Sequence, residues 1–243
     1  MLFPKKTRFL NSLTPAIAGL LISISCVSVN PNPPSHQIQP SPTPINPVTI
    51  LHKSGQEMTL LDSFQFELTH RNGRGSPANG FLLSEATGLI EKPEKIRVIA
   101  TMLLGNLVIE GELITTNQGS FIRNPLTNRW ANIEPEVSPL NFFDPEEGIM
   151  QIMDNVINPS LQSQDEYHFI IDGALPADTL SPIVGTTTTN NVEVSIWINR
   201  ESLLMTKAEI LGVLHPQDDI GMVRIMKISR FNESLDITLP NME

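Results

Sequence analysis

The sequence predicts an α+β domain in which one extended antiparallel sheet carries two or three helices on its concave side. Three observations carry that prediction. First, residues 192–239 alternate in strand-like fashion: Val192, Val194, Ile196 and Ile198 interleave with Glu193, Ser195, Trp197 and Asn199, a period of two that suits a half-buried strand. Second, the connections are short and polar, as at Asn199–Ser202 and His215–Ile220, which favours an antiparallel meander because parallel strands need long crossovers. Third, 40% apolar and 17% charged residues is the composition of a globular chain, enough for one domain of roughly 190–200 residues after an N-terminal leader.

Taken in order, residues 1–25 have the layout of a secretory signal, with Lys5, Lys6 and Arg8 ahead of an apolar run from Leu13 to Ile24. The run is too short and interrupted for a membrane span. It ends at Cys26, which follows a small residue as the cysteine of a bacterial lipobox does, although Ser23 stands where that motif usually has leucine. Lipidation of Cys26 by a diacylglyceryl group is the expectation, and simple cleavage after Ser25 is the alternative. Residues 26–47 then form a Pro-rich linker. Its 18 residues from Asn30 to Pro47, at about 3 Å each, would reach roughly 50 Å from an anchor to a domain at 48–243.

Within the domain, Val48 to Leu61 has the spacing of an amphipathic helix weakened by Gly55, with Ile50, Leu51, Met58 and Leu61 apolar. The first strand holds Phe64, Phe66 and Leu68 on one side, and Asn72–Gly80 is expected as a mobile loop. Strands follow at Phe81–Ile90, Ile96–Leu104, Leu107–Thr115 and Ser120–Arg123, divided by turns at Glu91–Glu94, Gly105-Asn106 and Asn117–Gly119. A helix is expected from Asp144 to Val156, with Asp144 as cap, Pro145 in the first turn, and Ile149, Ile152, Met153 and Val156 as its stripe; Asn158-Pro159 ends it. Tyr167–Ile171 resumes strand, Pro176–Val184 is a second short helix, and the meander closes with Met222–Phe231 and Leu235–Leu239. Its return strand is expected to show Leu204, Thr206, Ala208 and Ile210 on one face and Met205, Lys207 and Glu209 on the other.

Composition narrows the function. The net charge of −10 becomes −13 without the three basic residues of the leader, which argues against nucleic acid and anionic lipid surfaces. A single cysteine excludes an internal disulfide and any multi-cysteine metal site. His36, His52, His70, His168 and His215 have no ligand spacing and are expected as solvated surface groups, so no metal or other cofactor is expected. Nucleophile-elbow, phosphate-loop and dinucleotide motifs do not occur, and catalysis is not expected. The acid pairs Glu146-Glu147 and Asp218-Asp219 fall at a helix start and a turn, where dipole or solvent accounts for them.

The order of elements resembles the LppX/LprAFG lipoproteins of bacterial envelopes. The resemblance rests on the lipobox-like Cys26 and its Pro-rich tether, Met58–Phe64 at the helix-to-strand junction, Gly88 with Pro93, Trp130, Phe142–Pro159, and Val194–Ile198 with its return strand. It implies a strongly curved antiparallel sheet, a half β-barrel with helices covering the concave face, and an apolar cavity holding an acylated lipid or glycolipid. It further implies an envelope protein outside the cytoplasm, attached to the membrane through its N-terminal anchor.

Alternation nominates the lining. Phe64, Phe66 and Leu68 share a face, as do Ile96, Val98 and Ala100, and Leu107, Ile109 and Leu113. Val194 and Ile196 join Leu204 and Ile210, while Ile149, Ile152, Met153 and Val156 supply the helix side. A curved sheet with few helices and 5% aromatic residues has little bulk with which to fill its concave side, so a cavity is expected. The alternative is a closed core in an assembly module that binds an envelope protein partner through its outer face or the 72–80 loop.

Overall fold

A computed structural model of the chain describes residues 46–78, 81–133, 148–181 and 187–241. The signal, Cys26 and the linker as far as residue 45 lie outside the described residues, as do Asp144–Glu147 at the expected start of the second helix. The first element is helix α1, Pro47–Thr59, started by Asn46, whose side-chain oxygen accepts from the Val48 amide at 3.0 Å, with Pro47 in the first turn. Its buried stripe is Ile50, Leu51, Ser54, Gly55 and Met58.

Among the described residues twelve strands follow in one sheet. They are β1 (Ser63–Arg71), β2 (Gly75–Ala78), β3 (Phe81–Glu91), β4 (Lys95–Leu104), β5 (Leu107–Thr116), β6 (Gly119–Arg123) and β7 (Trp130–Ile133). After helix α2 (Gly148–Asp154) come β8 (Ile157–Gln164), β9 (His168–Pro176), a 3-10 turn at Ala177–Leu180, β10 (Asn191–Asn199), β11 (Met205–Leu211) and β12 (Val223–Ser229). The spatial order is β7-β6-β5-β4-β3-β1-β12-β11-β10-β9-β8, with β2 added on β3. The sheet is open, every pairing described is antiparallel, and β1 sits between β3 and the last strand. Two meanders, β1 to β7 and β8 to β12, therefore meet at the β1–β12 ladder, which runs from Gln65↔Ser229 to Arg71↔Val223.

The structure corrects the sequence reading at four places. Residues 75–78 of the expected mobile loop form β2. Asn158-Pro159, expected to end the second helix, lies inside β8, which among the described residues pairs with β9 alone. Proline is tolerated on such an edge strand, and Asn158 (φ 50°) falls within a register shift there. Of the short helix expected at Pro176–Val184, Ala177–Leu180 is a 3-10 turn and Ser181 is helical, while residues 182–184 lie outside the described residues. Another register shift, after Trp197↔Lys207, pairs Ile198 with Met205 and brings Met205 into the core, where strict alternation put it outside. Finally, Leu235–Leu239 forms no strand; Leu235 and Ile237 are buried against Ile114, with Leu89 and Trp130 alongside.

The main core joins both helices to one face of the sheet. Ile50, Leu51 and Met58 of α1 and Ile149 and Met153 of α2 share one buried cluster with Phe64, Ile90, Ile171, Val194, Ile196, Ile198 and Ile228. The helices meet at Gly55, where a Cβ would come within 3.2 Å of the Met150 Cα, so the missing side chain sets their approach.

Candidate functional site

Strand registers sort the side chains into rows that cross the sheet. One row runs Gly111–Ala100–Ala86–Leu68–Met226–Ala208–Ile196–Ile171–Leu161, from β5 to β8. A neighbouring row holds Ala131, Ile122, Leu113, Val98, Gly88, Phe66 and Ile228, and a third joins Phe64, Ile90 and Ile96. On the other side lie Ile109 and Met102, then His70, Arg224, Ile210, Val194 and Gly173. Because side chains alternate between faces, all of these occupy the same face, here termed inner. The expected lining residues of the strands, Phe64, Phe66, Leu68, Ile96, Val98, Ala100, Leu107, Ile109, Leu113, Val194, Ile196 and Ile210, thus share one face.

The remaining nominees join from outside the strands. Ile149, Met153 and Val156 are buried, and Ile152 and Leu204 are half-buried against the same cluster. Val156 lies over Gly173, where an added Cβ would approach its Cγ1 to 2.5 Å. Alternation was blind to Met226, Ile228, Ile171, Leu161, Met102 and Ile122, which the registers add to the inner face. The ladder between β1 and β12 is the missing information.

The inner face has two unlike halves. From β1 across β12 to β8 its apolar residues join the close-packed cluster with α1 and α2. Across β4 and β5 the apolar rows continue, yet Val98, Ala100, Met102, Ile109 and Leu113 are not members of that cluster. At the β4–β5 turn the exposure of Leu104 and Leu107 reaches 42% and 51%. Ile109 and Leu113 are themselves buried and Val98, Ala100 and Met102 half-buried, so among the described residues the apolar rows run on past the cluster that α1 and α2 join.

A cluster with charged side chains interrupts this face. His70 and Arg224 are direct partners across β1 and β12. Arg224 is buried and its Nη2 donates to Asp218 Oδ2, which also accepts from the Leu214 and His215 amides at 2.8 and 2.7 Å. His70 Nδ1 donates to the Ser84 carbonyl at 2.9 Å. Burial holds the His70 pKa below the ordinary imidazole range; the Arg224 charge adds to this, while the Ser84 bond and Asp218 oppose it. These positions correct two expectations, since His70 is not a solvated histidine and Asp218 is not a solvated turn residue. Sequence offered no signal for either, because the pairing partner Arg224 arrives through a turn in which two acids look merely polar.

The outer face is ionic. Arg71 and Lys207 both reach Glu209, at 3.3 and 2.7 Å, and the Lys207 hydrogen bond is the main reason its carboxyl titrates below the usual range. Lys207 also lies 4.0 Å from the centroid of the Trp197 ring. Arg97 and Arg123 flank the buried Glu112 at 2.8 and 3.1 Å beside Trp130 and Thr238–Pro240. Among the described residues no cluster of three or more His, Cys, Asp or Glu could hold a metal ion.

With this arrangement in place, comparison with known proteins is decisive. The LppX_LprAFG lipoprotein family matches residues 46–243. The chain belongs to that family. Its fold is also that of solved relatives. LprF from Mycobacterium bovis is similar with a TM-score of 0.61 at 15% identity, over 80% of this chain and 96% of that one. The lipoprotein LppX from Mycobacterium tuberculosis is similar with a TM-score of 0.53 at 14% identity, over 79% and 98%. No curated protein sequence matches the chain. The matched region begins at Asn46, the cap of α1, so the family domain coincides with the described elements.

Proposed function

We propose that this lipoprotein holds an acyl lipid against the inner face of its sheet, and that Cys26 carries the anchor that keeps it at a membrane outside the cytoplasm. The observation that supports the reading is the extent of the inner face: its apolar rows run on over β4 and β5, past the residues that pack with α1 and α2. In this reading the open sheet curls into a half barrel, and Leu68, Val98, Ala100, Ile109 and Leu113 contact the acyl chains beside the cluster that Phe66, Ile149, Ile152, Met153 and Val156 close. Withdrawal of chains from water supplies most of the affinity, at about 0.8 kcal/mol per methylene buried. Methionines such as Met102 and Met226 let the lining adapt to chain shape. In this reading the lipid is carried and not cleaved. Transfer to another membrane or protein would follow from release of the same chains. Among the described residues no helix is long and apolar enough to cross a membrane; the attachment proposed is the lipid on Cys26.

The test is extraction of the full chain, made with Cys26→Ser and purified from a bacterial host, followed by mass spectrometry of the organic phase. About one acyl lipid per chain is expected. A folded protein that yields none would sink the carrier reading and leave the fold as an interaction module. Ile109→Trp and Ile152→Trp give the second arm. Both should lower lipid content severalfold at a stability loss of about 1 kcal/mol or less, whereas overpacking a closed core costs about 1–3 kcal/mol.

A further inference from the structure

The inner face carries a buried polar group at one end, and its hydrogen bonds are incomplete. Asp218 is buried, with its side chain at 0% exposure beside Arg224 at 6%. Oδ2 of Asp218 takes the Leu214 amide, the His215 amide and Arg224 Nη2. Oδ1 is buried and accepts no hydrogen bond among the described residues. An unpaired buried acceptor is costly, more so when charged, and most native examples have a partner that the protein alone does not supply. Arg224 belongs to the inner row His70–Arg224–Ile210–Val194, next to the row of Leu68, Met226 and Ala208. Alternate residues of a strand stand roughly 7 Å apart, so a chain lying along Leu68 and Met226 brings its end to Arg224.

We propose that Asp218, held by Arg224 and flanked by His70, is the polar end of the lipid site and accepts a hydrogen bond from an uncharged hydroxyl of the ligand. This rests on the carrier reading and deepens it. Charge selects the class. Arg224 and Asp218 cancel, and Asp219 follows directly, with its Oδ2 3.0 Å from where a Cβ of Gly73 would stand. Of the nearby side chains, Arg71 is committed to Glu209 on the outer face. A phosphate brought here would meet a carboxylate whose own cation, Arg224, is already paired with it, and an ammonium would lose its hydration on burial. A neutral hydroxyl donates one bond and introduces no charge.

The test compares three probes with the same acyl chains on the full Cys26→Ser chain: dioleoylglycerol, its O-methyl ether and dioleoyl phosphatidate. Each competes against a fluorescent fatty acid. The free hydroxyl should bind about tenfold more tightly than the ether, the difference expected for a hydrogen bond to a charged acceptor, and the phosphatidate more weakly than the alcohol. In Asp218→Asn, the amide that keeps its oxygen on Arg224 turns an N–H toward the ligand, and the preference should shrink to about twofold or less. Equal binding of alcohol and ether by the parent chain would overturn this inference, mark the cluster as a structural ion pair only, and leave the carrier reading standing. A preference that persists in Asp218→Asn would overturn the role of Asp218. Binding of none of the three would overturn the carrier reading and this inference together. Should circular dichroism show that Asp218→Asn does not fold, the alcohol–ether comparison on the parent chain decides.

Discussion

Gly88 lies beneath the Phe66 ring: a Cβ added there would stand 2.0 Å from the Phe66 Cε1. Gly88→Ala must therefore displace a core aromatic, and should lower stability by about 1–3 kcal/mol as a shift of the urea midpoint at unchanged slope. His70 supports a second prediction. Its folded pKa lies below the 6.5 of the free group, because burial disfavours the imidazolium and Arg224 repels it. As pH falls through about 6.5 the unfolded chain takes up a proton that the folded chain still refuses, so this contribution to stability is present above 6.5 and is lost on acidification toward the folded value. Urea midpoints at about pH 7.5 and about pH 5.5 should differ less in His70→Asn than in the parent; an equal difference would show that His70 does not couple to folding. At this scale the sequence is only partly legible. Phe64, Phe66 and Leu68 announce their face by alternation, but His70 continues the same alternation and looks like an ordinary polar residue at a strand end. Its meaning comes from Arg224, 154 positions away in sequence and opposite it in the β1–β12 register.

Elements were legible where periodicity had one physical cause and misleading where it had two. Leu235, Ile237 and Leu239 alternate as a strand would, yet any extended segment lying on an apolar surface shows the same period. Here Leu235 and Ile237 are buried on Ile114, an outer-face residue that pairs with Arg97 and Phe121, so the segment covers the face opposite the lining. Conversely β8, with the sequence INPSLQSQ, lacks a strand signal because an edge strand with mostly exposed side chains has little apolar surface to alternate. The C-terminal segment gives an element-scale prediction. Deleting residues 234–243 removes two buried side chains and should destabilise by about 2–4 kcal/mol, less than their full transfer energy because the freed segment regains entropy. Trp130 loses its cover in the same step, so in a Trp197→Phe background its emission should shift to the red while lipid content stays unchanged. A parallel loss of bound lipid would show instead that the outer layer supports the inner face.

At the scale of the molecule, two meanders are joined by pairing the first strand with the last, and that pairing turns two apolar strips into one continuous face. Turns and alternation locate each meander, but nothing local states that β1 and β12 are neighbours; that contact spans most of the domain and is decided by the fit of Phe66 to Ile228 and Leu68 to Met226. The division between anchor and domain has a physical consequence of its own. All the proposed lining residues lie between Phe64 and Ile228, within the family domain that starts at residue 46, whereas the proposed lipid attachment is at Cys26. A tether of Pro-rich chain with a reach of roughly 50 Å transmits position and no conformational strain. Anchoring and binding should then be separable. Cys26→Ala should move the protein from the membrane fraction to the soluble fraction and abolish labelling by radioactive palmitate, while the acyl lipid extracted per folded chain stays the same. Retention in the membrane fraction would show that the anchor is elsewhere. Release accompanied by loss of bound lipid would show that the face is loaded only at the membrane, which makes the tether part of the loading step.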